Sequence, residues 1–384
     1  MYITRRLFGK TNSEQIYMSM LTDDEPELPG AESTFLYGTS TTVTERVDVV
    51  PKELAMMFNA EAAEEELKSI LAQAQTLTGH DWYKHYAIAK RDGGVRQIDD
   101  PCDQLRQIHL RIQQILERQF FALYHNAAYA YVRHRSTHQC IERHQQSSWF
   151  MKTDFKNFFG STTPECVMNA LQMIWPFSEF CRSDERKSLL QQVLNYAFLN
   201  NGLPQGSTLS PMLTNLIMIP FDHEFTEKLK RRGMVYTRYA DDCLISSRFS
   251  FSVDGTKRLM FATLRSLGYP YCMNYKKTRY GSIKGKNWNL GYMLNADHQI
   301  TIGHQAKRYL KADMYNFFRK WQYDRPSLTL EWLQAFDGRV NYYRYAEPDY
   351  VKQVINRTKA KLRLWWYDYD RLMETAIRIV SHSY

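Results

Sequence analysis

MVYTRYADDCLISS, residues 234–247, sets two adjacent carboxylates, Asp241 and Asp242, between two short runs of β-forming residues, Val235 to Tyr239 and Cys243 to Ile245. That pattern predicts a hairpin with the acids at its tip. Two like charges at a tight turn repel each other, which is poor for stability, yet they are well placed to hold a divalent cation against a phosphate. An isolated Asp-Asp is ordinary turn chemistry. What surrounds this pair decides how it is read.

Upstream, WFMKTDFKNFFGS (residues 149–161) reads as a short strand that delivers Asp154 where the chain turns, 87 residues before Asp241. Taken alone, Asp154 reads as a turn cap. Between the acids, Asn200-Asn-Gly-Leu-Pro-Gln-Gly-Ser forms a loop that opens a helix, with Leu209, Met212, Leu213, Leu216, Phe221, Phe225 and Leu229 recurring mostly every three or four residues up to KRRG. This spacing predicts one continuous helix. Helical runs are also expected at about 104–121, 164–175, 186–199 and 256–267, and throughout the region after about residue 306. Tyr86–Ala89 and Val95–Ile98 flank Lys90-Arg-Asp-Gly-Gly and predict a second hairpin with a basic turn. Two short strands are expected within 289–302.

The net charge of +9 is uneven: residues 1–80 hold 6 basic and 13 acidic side chains, whereas residues 276–384 hold 20 basic and 10 acidic ones interleaved with Tyr, Trp and Phe. Basic charge mixed with aromatics suits phosphate backbones and stacked bases, as well as a plain solvated surface. Leu21–Ser40 is acidic and rich in Pro, Gly, Ser and Thr, as a linker would be, and 51–76 has helical composition, with Leu67, Ile70 and Leu71 at helical spacing. The six cysteines form no CxxC pair, which points away from a zinc site or disulfide framework and toward a reducing, cytoplasmic setting. No stretch is long and apolar enough to span a membrane, so no membrane partner is expected. Three carboxylates without a His/Cys cluster point to hard cations, Mg²⁺ or Mn²⁺, held as a pair of ions.

These residues resemble the reverse transcriptases. Asp154-Phe-Lys-Asn-Phe-Phe, Leu203-Pro-Gln-Gly-Ser-Thr-Leu-Ser-Pro and Tyr239-Ala-Asp-Asp look like three successive motifs of that family, in order. Tyr86–Pro101 resembles its fingers hairpin, Met273–Thr278 its lysine motif and Asn289–Leu294 its primer grip, so the resemblance covers about residues 80–350.

It implies an α+β right-hand polymerase fold: an acidic N-terminal extension (1–80), fingers (81–150), a palm with an antiparallel sheet (151–288), a primer-grip hairpin (289–305) and a helical thumb with the C-terminal region (306–384). The implied metal ligands are Asp154, Asp241 and Asp242 with the Phe155 carbonyl, Asp242 being the less directly bound. The resemblance makes Lys277 the proton donor to pyrophosphate. Lys90 and Arg96 would grip the triphosphate, Phe159 would clash with a ribose 2′-OH, Gln205 and Gly206 would meet the incoming nucleotide, and Tyr239 would pack under the primer end.

The implied reaction is RNA-directed DNA synthesis from dNTPs, with an RNA template and a DNA product. The residues after the primer grip are too few for an RNase H domain, and this looks like a compact bacterial enzyme. Cys140-Ile-Glu-Arg-His144 keeps only the His of the Asn-Ala-x-x-His element of retron enzymes, while Gln205 to Pro211 is unlike the altered motif of diversity-generating elements. By elimination the chain resembles the defence-associated or unclassified bacterial groups, which work with a small non-coding RNA in antiphage immunity. A retron-type enzyme making short single-stranded DNA, and template-independent or protein-primed synthesis, remain open. So do an RNA-dependent RNA polymerase, a non-catalytic nucleic-acid-binding scaffold, and a partner protein or homo-oligomer.

Overall fold

The computed structural model describes residues 57–77, 81–89, 93–285 and 289–382. Lys90, the linker expected at Leu21–Ser40 and most of the acidic first 80 residues lie outside them. The elements run α1 (Ala60–Gln75), β1 (Tyr83–Ala89), β2 (Val95–Pro101), α2 (Asp103–Arg118), α3 (Thr137–Glu142), β3 (Trp149–Asp154), α4 (Pro164–Leu171), α5 (Phe177–Phe180) and α6 (Asp184–Asn195). Then follow α7 (Leu209–Ile217), α8 (Ile219–Lys230), β4 (Met234–Tyr239), β5 (Asp242–Ser247), α9 (Val253–Ser266) and β6 (Arg279–Ser282). The chain closes with β7 (Met293–Leu294), β8 (Ile300–Thr301), α10 (Gly303–Tyr323), α11 (Leu330–Ala346), α12 (Pro348–Lys361) and α13 (Tyr369–Ser381). This is an α+β architecture, with the strands in two antiparallel hairpins, β1-β2 and β7-β8, and a four-stranded sheet ordered β4-β5-β3-β6.

The chain divides into two compact units. One comprises the described residues up to Ser136 together with Met151–Tyr280; the other comprises Thr137–Phe150 and Gly281 onward. In the first, α1 begins at Asn59, whose side chain accepts from the Glu61 and Ala62 amides at 3.1 and 3.0 Å. These bonds satisfy donors that the first helical turn leaves unpaired. Its buried face is Ala63, Leu67, Ile70 and Ala74. With Ile108, Ile112, Leu190, Leu213, Phe221 and Phe225 these belong to one continuous core. At about 25 cal/mol per Å² of apolar area removed from water, such burial is the main force holding the unit together.

The single helix expected over Leu209–Leu229 is instead two, α7 and α8, meeting at Met218. Pro220 is the cause: it has no amide hydrogen to donate and its ring crowds the carbonyl four residues earlier, so it is tolerated only in the first turn of a new helix. Other helices are shorter than expected, α4 ending at Leu171 and α6 at Asn195. Helix α3 and strand β6 had no clear signal in the sequence.

The second unit buries Leu310, Met314, Phe317, Trp321, Leu333, Phe336, Val340, Val351, Leu372 and Met373 among its four long helices. At the start of α10, the Glu347 carboxylate accepts from the Thr301 hydroxyl at 3.1 Å and the Ile302 amide at 3.0 Å. Among the described residues no helix is long and apolar enough to cross a membrane.

Candidate active site

The expected hairpin forms with Tyr239 opposite Asp242, leaving Ala240 and Asp241 as its two-residue loop. Ala240 sits at φ +57. Left-handed backbone costs a residue with a Cβ roughly 1–2 kcal/mol, so the surroundings must impose it. They do so partly through Phe155, whose amide donates to the Asp241 carbonyl at 3.1 Å. The amide of Asn274 donates to the Asp154 carbonyl at 2.7 Å, so the chain around the first acid is tied to the turn on one side and to the lysine motif on the other.

Asp154 and Asp241 line one cleft of about 1080 Å³, together with Arg96, Tyr131, Phe159, Gln205, Gly206, Asn274 and Lys277. Asp154 is 6 % exposed. Its Oδ2 accepts from Lys277 Nζ at 3.1 Å, while its Oδ1 is buried without a hydrogen-bond partner. A bare buried carboxylate oxygen is costly, and a cation is what satisfies it. Burial pushes the Asp241 carboxyl above the usual range, helped by the charges of Asp242 and Asp154. Both features fit a divalent cation at Asp154 and Asp241.

Asp242 behaves differently. It is not among the cleft-lining residues, and its Oδ2 lies 3.3 Å from Lys152 Nζ. Strand alternation explains this: neighbouring residues at a hairpin tip point to opposite faces. Among the described residues, no three His, Cys, Asp or Glu side chains gather closely enough to hold a metal. Of the three carboxylates expected from the sequence, Asp154 and Asp241 line the cleft, while Asp242 is ion-paired with Lys152.

Both adjacent rings belong to residues that line the cleft, but Phe158 is buried, 5.5 Å from Phe155 centroid to centroid, whereas Phe159 is only partly buried. The Phe159 carbonyl accepts from the amides of Thr162 and Leu203, both at 3.0 Å, which sets the ring beside the LPQG loop. Of the neighbouring lysines, Lys277 reaches Asp154 and the cleft. Tyr239 is half-buried at the strand end and is not among the cleft-lining residues.

Gly206 has φ +139, and a Cβ there would meet the Asp99 carbonyl at 2.6 Å. The close approach it permits is therefore to strand β2: the Asp99 amide donates to the Gln205 carbonyl at 2.7 Å.

Several supporting residues carried no readable signal. The His109 Nε2–H donates to the Tyr196 carbonyl at 2.8 Å, so its Nδ1 accepts from the Ser207 hydroxyl at 2.9 Å. Burial lowers the His109 pKa, consistent with a neutral ring in that role. Ser210 donates to the Pro204 carbonyl at 2.9 Å. Tyr131, with φ +60, presents a largely exposed ring at the cleft. Only tertiary structure brings His109 to the loop and Tyr131 to the cleft, whereas Ser207 and Ser210 belong to the loop motif itself.

A family model described as reverse transcriptase (RNA-dependent DNA polymerase) matches residues 88–294. The retron Ec83 reverse transcriptase of Escherichia coli is 31% identical over 241 residues, covering 61% of this chain and 75% of that protein. The retron Ec73 reverse transcriptase of the same organism is 29% identical, covering 58% and 72%, and the retron Ec86 enzyme is 23% identical, covering 72% and 85%.

Proposed function

The chain belongs to the reverse transcriptase family, and from that premise we propose that the cleft holding Asp154 and Asp241 is where this RNA-directed DNA polymerase joins dNTPs to a primer. The observation that carries the assignment is the buried, unsatisfied Oδ1 of Asp154 in the cleft that Asp241 also lines. Asp154 and Asp241 would hold the divalent metal on which the family depends, Mg²⁺ or Mn²⁺, with the Phe155 carbonyl nearby and Asp242 in support. Bound there, the metal supplies positive charge against the charge that develops on the transferred phosphate.

The chain's own residues do the rest. Arg96 is exposed at the cleft and meets the triphosphate, with Lys90 assigned the same task from the sequence. Phe159 fills the space a ribose 2′-OH would need. Gln205 and Gly206 form the floor under the nucleotide. Lys277, whose ammonium already sits in the cleft, carries the proton that the pyrophosphate leaving group takes up. Strands β1 and β2 serve as fingers, the sheet bearing the acids as palm, and α10–α13 as thumb.

We assign the template to a non-coding RNA. The retron identity of the relatives favours a retron-type product, a short single-stranded DNA made on that RNA, and an antiphage role is compatible with it. Sequencing the nucleic acids that copurify with the protein, with and without added dNTPs, tests this. One dominant RNA, joined by complementary DNA when dNTPs are supplied, is expected; a heterogeneous RNA population with no matching DNA would reject a dedicated template.

A further inference from the structure

Beneath the acid-bearing turn lies a fully buried ion pair that the proposed chemistry does not use. Arg238 and Asp222 have no exposed side-chain surface. Arg238 Nε donates to both Asp222 oxygens at 2.9 and 3.1 Å, and its Nη2 donates to Oδ2 at 2.7 Å. The remaining nitrogen, Nη1, donates to Asn215 Oδ1 at 3.0 Å and to the Ala240 carbonyl at 3.1 Å. Asn215 in turn donates to the Ala130 carbonyl at 2.7 Å, and the Tyr236 hydroxyl donates to Asp222 at 2.9 Å.

Stability is a weak reason for such a pair. Desolvating two charges costs several kcal/mol each, and well-packed apolar residues in the same volume are often as stable or more so. What an apolar substitute lacks is a donor for the Ala240 carbonyl. Ala240 is the left-handed residue of the two-residue loop, and Asp241 follows it. With the Ala240 carbonyl bound from below by Arg238 and the Asp241 carbonyl bound by the Phe155 amide, both peptide units of the turn are fixed relative to Asp154. Asp222 holds the guanidinium in a fork whose planar geometry leaves Nη1 aimed at that carbonyl, which a lysine could not reproduce.

We infer that Asp222 and Arg238, with Asn215, form a positioning device that sets the Asp241 carboxylate for phosphoryl transfer without touching substrate. The inference rests on Asp241 being a catalytic carboxylate. A displacement near 1 Å costs phosphoryl transfer about 10²-fold, chiefly in kcat.

The test is a repacked triple variant, Asp222→Leu with Tyr236→Phe and Arg238→Met, alongside Arg238→Lys, assayed with primed RNA and dNTPs. Thermal unfolding and template–primer affinity are measured in parallel. Both variants are expected to unfold cooperatively and bind template–primer as the unmodified chain does. Their kcat should fall about 10²-fold while the dNTP KM changes less than about threefold. If the triple variant does not fold, Arg238→Lys carries the test by the same split. A folded variant that keeps kcat within about threefold, or loses it only in step with template–primer affinity, overturns the inference. Asp241→Asn is the separate arm: if it polymerises at an undiminished rate, the site assignment itself fails, whereas a strongly impaired Asp241→Asn beside a fully active Arg238→Lys refutes only the positioning role.

Discussion

At the scale of single residues, Asp154 and Asp241 share a cleft but not an environment. Asp154 is ion-paired with Lys277 on one oxygen and bare on the other, while Asp241 is held at a turn with its carboxyl pushed up by burial and by neighbouring charge. Asp242 is drawn toward Lys152. The two members of the Asp-Asp pair should therefore differ on substitution. Asp241→Asn is expected to lower kcat by about 10³-fold or more, and Asp242→Asn by clearly less, in single-turnover dNTP incorporation. Equal losses would contradict the asymmetry. Phe159→Ala should leave dNTP use within a few-fold and raise the relative use of ribonucleotides by about tenfold or more. Competition between the two substrates on one template measures this, and unchanged discrimination would remove Phe159 from the sugar-sensing role.

At the scale of elements, the LPQG loop is joined to the β1–β2 hairpin through its backbone. Gly206 makes that junction possible, because its φ of +139 and the nearby Asp99 carbonyl leave no room for a Cβ. Gly206→Ala should push the loop and β2 apart, cutting dNTP kcat/KM by about 10²-fold, with a smaller effect on thermal stability. Primer-extension kinetics on the folded variant check it. These elements also show what a sequence can reveal. The two hairpins were legible because alternating β-formers bracket a turn, and Asp154, Asp241 and the LPQG loop because their order is that of a known family. The break at Met218 was misread: helical periodicity continues through it, and the missing donor of Pro220 outweighs that pattern. His109 had no local signature, since its partner Ser207 lies far along the chain, and the Asp222–Arg238 pair had none because helix and strand must first pack to bring the two together.

At the scale of the whole molecule, three histidines with lowered pKa values contribute to the response to acid. Burial lowers His125 and His223 from 6.5 to about 4 and His144 to about 3. In the unfolded chain these rings take up protons near pH 6.5, whereas the folded chain resists until far lower pH. Stability is therefore highest above pH 6.5 and is lost as the pH falls toward 4, by up to roughly 3 kcal/mol for a ring shifted as far as His125. Urea unfolding at pH 7.5, 6 and 4.5 is expected to show a steadily falling midpoint, and a midpoint independent of pH would contradict these shifts.

Phosphoryl transfer in the cleft of Asp154 and Asp241 is the reaction on which every role assigned above depends. The most direct measurement is extension of a primer on an RNA template by the purified chain and by its Asp241→Asn variant, with dNTPs or NTPs supplied in turn. The unmodified chain is expected to extend the primer with dNTPs and little with NTPs, and Asp241→Asn to lose extension by about 10³-fold or more. Equal extension with NTPs, or undiminished DNA synthesis by Asp241→Asn, would contradict this.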